Sequence, residues 1–188
     1  MIVQGVVHLL TGFDHLAFLL VALLAVARRR DVDGNPRPLG TVMFESFKVI
    51  TAFTVAHSIT LTLAALGVVV LAPGPVETSI AATVAVTAIA GFWKPTRFHG
   101  WPVAFAFGLV HGFGFAGALS RLVGGEAHAA GIAAFNLGIE LAQIAVAMLI
   151  VPALYLLTRR AAAERVAAPA ISACVTLAAL GWFIERAA

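Results

Sequence analysis

Six residues of this 188-residue chain could hold or move a cation, and all six stand where water is scarce: His8, Asp14, His15, His57, His111 and Glu140. Their surroundings read HLLTGFDHLAFLL, FTVAHSIT, FGLVHGFG and FNLGIELAQ, apolar on both sides. A charged side chain at the centre of a membrane-spanning helix costs about 2.5–3.5 kcal/mol on insertion scales, so it persists where it is paired, hydrated or bound to something. Six ionisable groups at once need a common remedy. Imidazole with carboxylate is the ligand set of first-row divalent metals such as nickel, cobalt and zinc, whereas magnesium and calcium take oxygen ligands.

Polar neighbours fit the same chemistry. Thr54 and Ser58 flank His57, and Asn136 and Gln143 share a helical face with Glu140 at spacings of four and three. Side chains so placed are expected to orient ligating rings and carboxylates. Gly108 and Gly112 make a small-xxx-small pair beside His111, which lets a neighbouring helix close on that histidine. On one continuous helix, His8 and His15 share a face about 10.5 Å apart along the axis, the geometry of a ladder of ligands rather than a ring. His99 and His128 fall in loops and are read as ordinary surface residues.

The elements that must position these groups are helices in a bilayer. The composition is 61% hydrophobic and only 11% charged, with mean hydropathy +1.00, and apolar runs recur from end to end. A run of about 20 apolar residues crosses a hydrocarbon core of roughly 30 Å as a helix. A transmembrane barrel would alternate apolar and polar residues over about 10-residue segments instead. We read one all-α transmembrane domain over residues 1–188, with six spans near 2–27, 46–70, 76–93, 102–120, 131–157 and 167–184. The first run lacks a basic leading segment and is longer than a signal-peptide core, so it reads as a retained span. The segment 40–48 reads as interfacial, with Glu45 and Lys48 paired three residues apart.

Charge sets the orientation. Arg28, Arg29, Arg30, Arg37, Lys94, Arg97, Arg159, Arg160 and Arg165 fall in the loops after the first, third and fifth spans, against Arg121 and Arg186 on the other side. Basic loops stay in the cytoplasm, so both termini are expected outside. This also accounts for the formal charge of +3 without nucleic acid as a partner; the lipid bilayer and a metal ion are the expected ones, and the sequence sets no oligomeric state. Counting about 1.5 Å per residue from the outer ends puts His8 some 10 Å deep, Asp14, His15 and His57 some 20 Å, and His111 and Glu140 some 14 Å. Four helices thus present ligands in one slab. GVVHLLTGF in the first span resembles GLVHGFGF in the fourth, and TAFTVAHS in the second loosely resembles AAFNLGIE in the fifth. Two three-span halves of opposite orientation would form an inverted repeat, an arrangement many transporters build around a midplane site.

His8, Asp14 and His15 form H-x5-D-H, and with LAFLL, ITAFTVAHSITLTLAALG, FGLVHGFGFA and FNLGIELAQ in order over residues 5–145 the chain resembles the HupE/UreJ family. The resemblance implies a six-helix bacterial inner-membrane protein, associated with hydrogenase or urease loci, that carries nickel or cobalt. A related H-x4-D-H signature marks another nickel and cobalt permease family. The resemblance carries over His8, Asp14 and His15 from the first motif, and His111 and Gly112 from the His-Gly of the second. The fuller second motif would have histidine at Phe107 and glutamate at Gly114, so the chain is similar to a second branch in which His57 and Glu140 supply the missing ligands.

A permease moving a divalent ion through these residues is the leading expectation, driven by a gradient or a partner, since the sequence has no Walker loop. Glu140 or Asp14 would serve for proton coupling. An intramembrane metal-dependent hydrolase is the alternative, with Ser58 or Glu140 assisting a zinc-activated water; a ladder of ligands favours the carrier. A sensor or membrane scaffold is the third reading.

Overall fold

The computed structural model describes residues 1–93, 100–115 and 129–188. Among them the chain forms α1 (Ile2–Thr11), α2 (Phe13–Ala27), α3 (Leu39–Ala65), α4 (Pro73–Ala90), α5 (Trp101–Phe113), α6 (Ala129–Arg159) and α7 (Ala161–Ala187). The all-α expectation holds. The expected spans hold more coarsely. Among the described residues α3, α6 and α7 are long and apolar enough to cross a membrane, and α1 with α2 makes a fourth span if the pair is counted as one. Helix α5 has 13 residues, fewer than a span needs.

The expected first span is not one helix. Gly12 separates α1 from α2, and the two axes differ by 75°. Local hydrogen bonding explains the break: the Gly12 amide closes α1 on the His8 carbonyl at 2.9 Å, while the Gly12 carbonyl accepts the Leu16 amide at 3.1 Å and opens α2. The segment 40–48 forms the first turns of α3, and Lys48 pairs with Glu45 at 3.0 Å there.

Helix α2 is the centre of the bundle. Every residue from Val21 to Ala27 is buried, and a helix apolar all round belongs inside. Around it α5 packs on α3, α1 packs on α6, and α4 packs on α7. Lipid gives apolar side chains no reason to leave it, so close backbone approach between small residues holds such contacts. A Cβ at Gly108 would overlap the Phe53 carbonyl, and one at Gly112 would overlap Thr60 Oγ1 and the His57 carbonyl. The two glycines of the small-xxx-small pair are therefore where α5 meets α3.

At one end Arg28 donates to Glu164 Oε1 at 3.2 Å and to the Gly91 carbonyl at 2.6 Å, while Arg30 donates to Glu164 and to the Thr158 carbonyl at 2.8 Å. Arg29 reaches Glu45 at 3.9 Å. These contacts gather the ends of α2, α4 and α6 with the starts of α3 and α7, as the charge count requires of loops on one side. Lys94, Arg97, His99, Arg121 and His128 lie outside the described residues.

Candidate metal centre

The break at Gly12 is what makes a site. It folds the last turn of α1 over the first turn of α2, so the His8 and His15 rings come to 5.0 Å between centroids, where a continuous helix would have held them two turns apart. The ladder geometry is thereby overturned. His57 from the middle of α3 completes the group, at 5.9 Å from His15 and 6.3 Å from His8. His8, His15 and His57 each offer a ring nitrogen within 4.8 Å of the others. His111, in the last turn of α5, stands 5.1 Å from His15 on the other side.

Hydrogen bonds fix which nitrogens face one another. Asp14 lies in the first turn of α2, where the orphan amides and the helix dipole favour an anion. Its Oδ1 accepts the His15 amide at 2.9 Å and the His15 Nδ1 hydrogen at 3.0 Å, which leaves His15 Nε2 a bare lone pair. On α4, the Thr83 hydroxyl donates to the Ile80 carbonyl at 2.7 Å, so its contact of 2.9 Å with His111 Nε2 has the ring as donor. His111 Nδ1 is then bare as well. His8 Nε2, His15 Nε2, both ring nitrogens of His57 and His111 Nδ1 are buried without a hydrogen-bond partner. Each orphan of this kind costs about 1–3 kcal/mol. One cation bonded to several of the lone pairs removes most of that cost, with a shift of a rotamer or two bringing nitrogens to the usual bond length of about 2.0–2.1 Å.

The site has a floor and a mouth. Phe18, Phe53 and Phe107 each lie one turn from His15, His57 and His111 respectively, on the side of the arginine-bearing end. Phe18 packs on Phe53 at 5.1 Å and on Phe107 at 6.0 Å, and Phe53 packs on His111 at 5.2 Å. In the other direction a cavity of about 350 Å³ runs from His8, His15 and His111 past Asp14 to Phe13, Glu77 and Arg186. Phe13 and Glu77 are exposed. Arg186 Nη1 and Nη2 approach Asp14 Oδ2 at 3.4 and 3.5 Å.

The sequence match decides the family. The family model for the HupE/UreJ protein matches residues 1–186, almost the whole chain. The chain belongs to the HupE/UreJ family. No curated protein and no solved structure matches it.

In this HupE/UreJ protein the residues of H-x5-D-H thus converge with His57 and His111. Glu140 does not join them: it accepts a hydrogen bond from Thr51 at 2.9 Å and lines a second cavity, of about 510 Å³, together with Thr54, Ser58 and Asn136. Thr54 donates to Gln143 Oε1 at 2.7 Å, Ser58 to the Thr54 carbonyl at 2.7 Å, and Asn136 to the Ile132 carbonyl at 3.0 Å. None of these bonds reaches a histidine. The groups that orient the cluster are Asp14, Thr83 and, through Asp14, Arg186, and Asn136 stands beside His57. Thr83 carried no sequence signal among the many hydroxyls of the spans, and Arg186 read as a topology charge.

Proposed function

We propose that the protein is a multi-pass carrier for a divalent transition-metal ion, nickel or cobalt by family association, with zinc also within the ligand chemistry. The observation that carries the reading is the group of His8, His15 and His57, the first half-buried and the other two buried, with unpartnered ring nitrogens inside 4.8 Å. Neutral imidazoles bind such ions through nitrogen, and Asp14 holds the His15 ring with Nε2 turned away from the carboxylate. His111, beside His15, is a fourth ligand or the next station. The ion enters along the cavity from the Glu77 end, placed outside by the charge bias, in the inner membrane of a bacterium. Release on the arginine-bearing side requires the phenylalanine floor to part.

Two like halves, α1 to α4 and α5 to α7, would support alternating access. In the repeat register, Gly5 corresponds to Gly108 and Phe135 to Phe53. A Cβ at Gly5 would collide with the Phe135 carbonyl, as one at Gly108 would with that of Phe53. Helix α1 packs on α6 as α5 packs on α3, and the third helices of the halves, α4 and α7, pack on each other. His8 and His111 then hold equivalent places, each in the last turn of a helix closed by glycine. Such exchangeable halves let one bundle rock against the other around a fixed site.

Convergent ligands also suit the hydrolase reading. Ser58 and Glu140, its acid and base, line the other cavity, and the carrier reading is preferred. Calorimetry with nickel on the purified chain, followed by nickel uptake into proteoliposomes, tests both. The carrier binds one ion per chain, loses it in His57→Ala and in His15→Ala, and accumulates nickel in vesicles. Binding that survives both substitutions removes the site, and binding without uptake returns the hydrolase.

A further inference from the structure

We infer that Arg186 is a built-in competitor of the divalent ion: the guanidinium holds Asp14 directly, the metal draws on the same carboxylate through the His15 ring, and the arginine keeps the site weak enough to release its cargo. The inference rests on the metal-binding reading above and adds a regulator of affinity to it.

The geometry is that of a pair made to come apart. Both guanidinium nitrogens meet one oxygen, Asp14 Oδ2, at 3.4 and 3.5 Å. A clamped Arg–carboxylate pair would use two oxygens at about 2.7–2.9 Å. The backbone at Arg186 is held in the last turn of α7, where its carbonyl shares the Thr78 hydroxyl hydrogen with the Gly74 carbonyl, so the side chain is the movable part. It already has other places to go. Nη1 donates to the Glu77 carbonyl at 3.3 Å, the guanidinium lies 5.9 Å from the Trp182 ring, and the Glu77 side chain lines the same cavity.

Charge supplies the reason. Asp14 and Arg186 offset each other in charge, and a dication arriving among the four histidines is repelled by the arginine in a medium that screens poorly. Transfer of the guanidinium from Asp14 to Glu77 leaves the full charge of the carboxylate to support His15 as a ligand and takes the like charge toward solvent. A carrier has to bind tightly enough to load and weakly enough to let go. Arg186 and the metal-bound His15, sharing Asp14, provide that balance without a further ligand.

Nickel titration by calorimetry on the full chain in detergent, with uptake by proteoliposomes alongside, tests the role. Arg186→Gln is expected to bind nickel about tenfold more tightly, a modest coupling for two linked binding events, and to transport it more slowly. Arg186→Lys keeps the charge and restores weaker binding. A merely structural arginine would lose affinity and transport together in Arg186→Gln and gain nothing from charge. An Arg186→Gln protein no tighter than wild type overturns the proposal. Should that variant fail to purify as a monodisperse protein, Glu77→Gln decides, since removing the receiving carboxylate leaves the arginine on Asp14: weaker nickel binding supports the role and unchanged binding overturns it. If wild type binds no nickel, or binds it equally in His57→Ala, the metal reading itself falls and the competitor with it. If wild-type binding depends on His57 and Arg186→Gln is no tighter, the competitor alone falls.

Discussion

Asp14 carries more of the site than any histidine, because its two oxygens face two different tasks. Oδ1 fixes the His15 ring and caps the His15 amide, while Oδ2 answers Arg186. Asp14→Asn keeps the shape and one acceptor oxygen but removes the charge, so His15 is oriented less firmly and Arg186 loses its counterion. Nickel affinity is expected to fall about 10- to 100-fold, the usual effect of removing a group that orients a metal ligand, and calorimetry on the purified variant checks it. These residues were legible in the sequence because an aspartate and four histidines inside apolar runs have few cheap explanations. Arg186 was not, since an arginine beside a span end has a ready one in topology. Glu140 stood out for the same reason as the histidines, yet depth along a helix does not say which way a side chain faces, and this carboxylate turns toward Thr51.

At the scale of elements, the decisive feature is the interruption at Gly12. Hydrophobicity runs unbroken through residues 2–27, and a reading based on apolar length gives one straight helix with His8 far from His15. The turn is written instead in a single small residue, whose missing side chain leaves room for the fold-back. A Cβ at Gly12 would stand 2.8 Å from His15 Nδ1 and 2.9 Å from the His8 carbonyl. The carbonyl cannot yield without moving α1. Gly12→Ala is therefore expected to cost at least about tenfold in nickel affinity, a loss of 1.4 kcal/mol or more, while helix content by circular dichroism stays that of wild type. Gly40→Ala serves as the control, since nothing lies within 4 Å of a Cβ there. In α3 that change should leave binding intact and stabilise the fold by up to about 0.5–1 kcal/mol.

For the whole molecule, the two ends differ in kind, and the difference gives the protein a direction. One end is tied by Arg28 and Arg30 to Glu164 and to backbone carbonyls at the ends of α4 and α6, and lies behind the phenylalanine floor. The other opens through Glu77 and Arg186 to the histidines. The asymmetry of basic residues was plain in the sequence; that the same arginines would also knit helix ends together was not, because their partners, Glu164 and backbone carbonyls, lie on other elements far along the chain. If the basic end is cytoplasmic, cysteine labelling reads it directly. Cys174 is the sole cysteine of the chain, so Cys174→Ala gives a clean background. Asn35 lies exposed in the loop after α2, and Val68, 66% exposed, lies in the turn after α3 at the opposite end. In intact spheroplasts a membrane-impermeant maleimide should label Val68→Cys and spare Asn35→Cys until the membrane is permeabilised. The reverse pattern would turn the mouth of the cavity toward the cytoplasm and overturn the entry route proposed above.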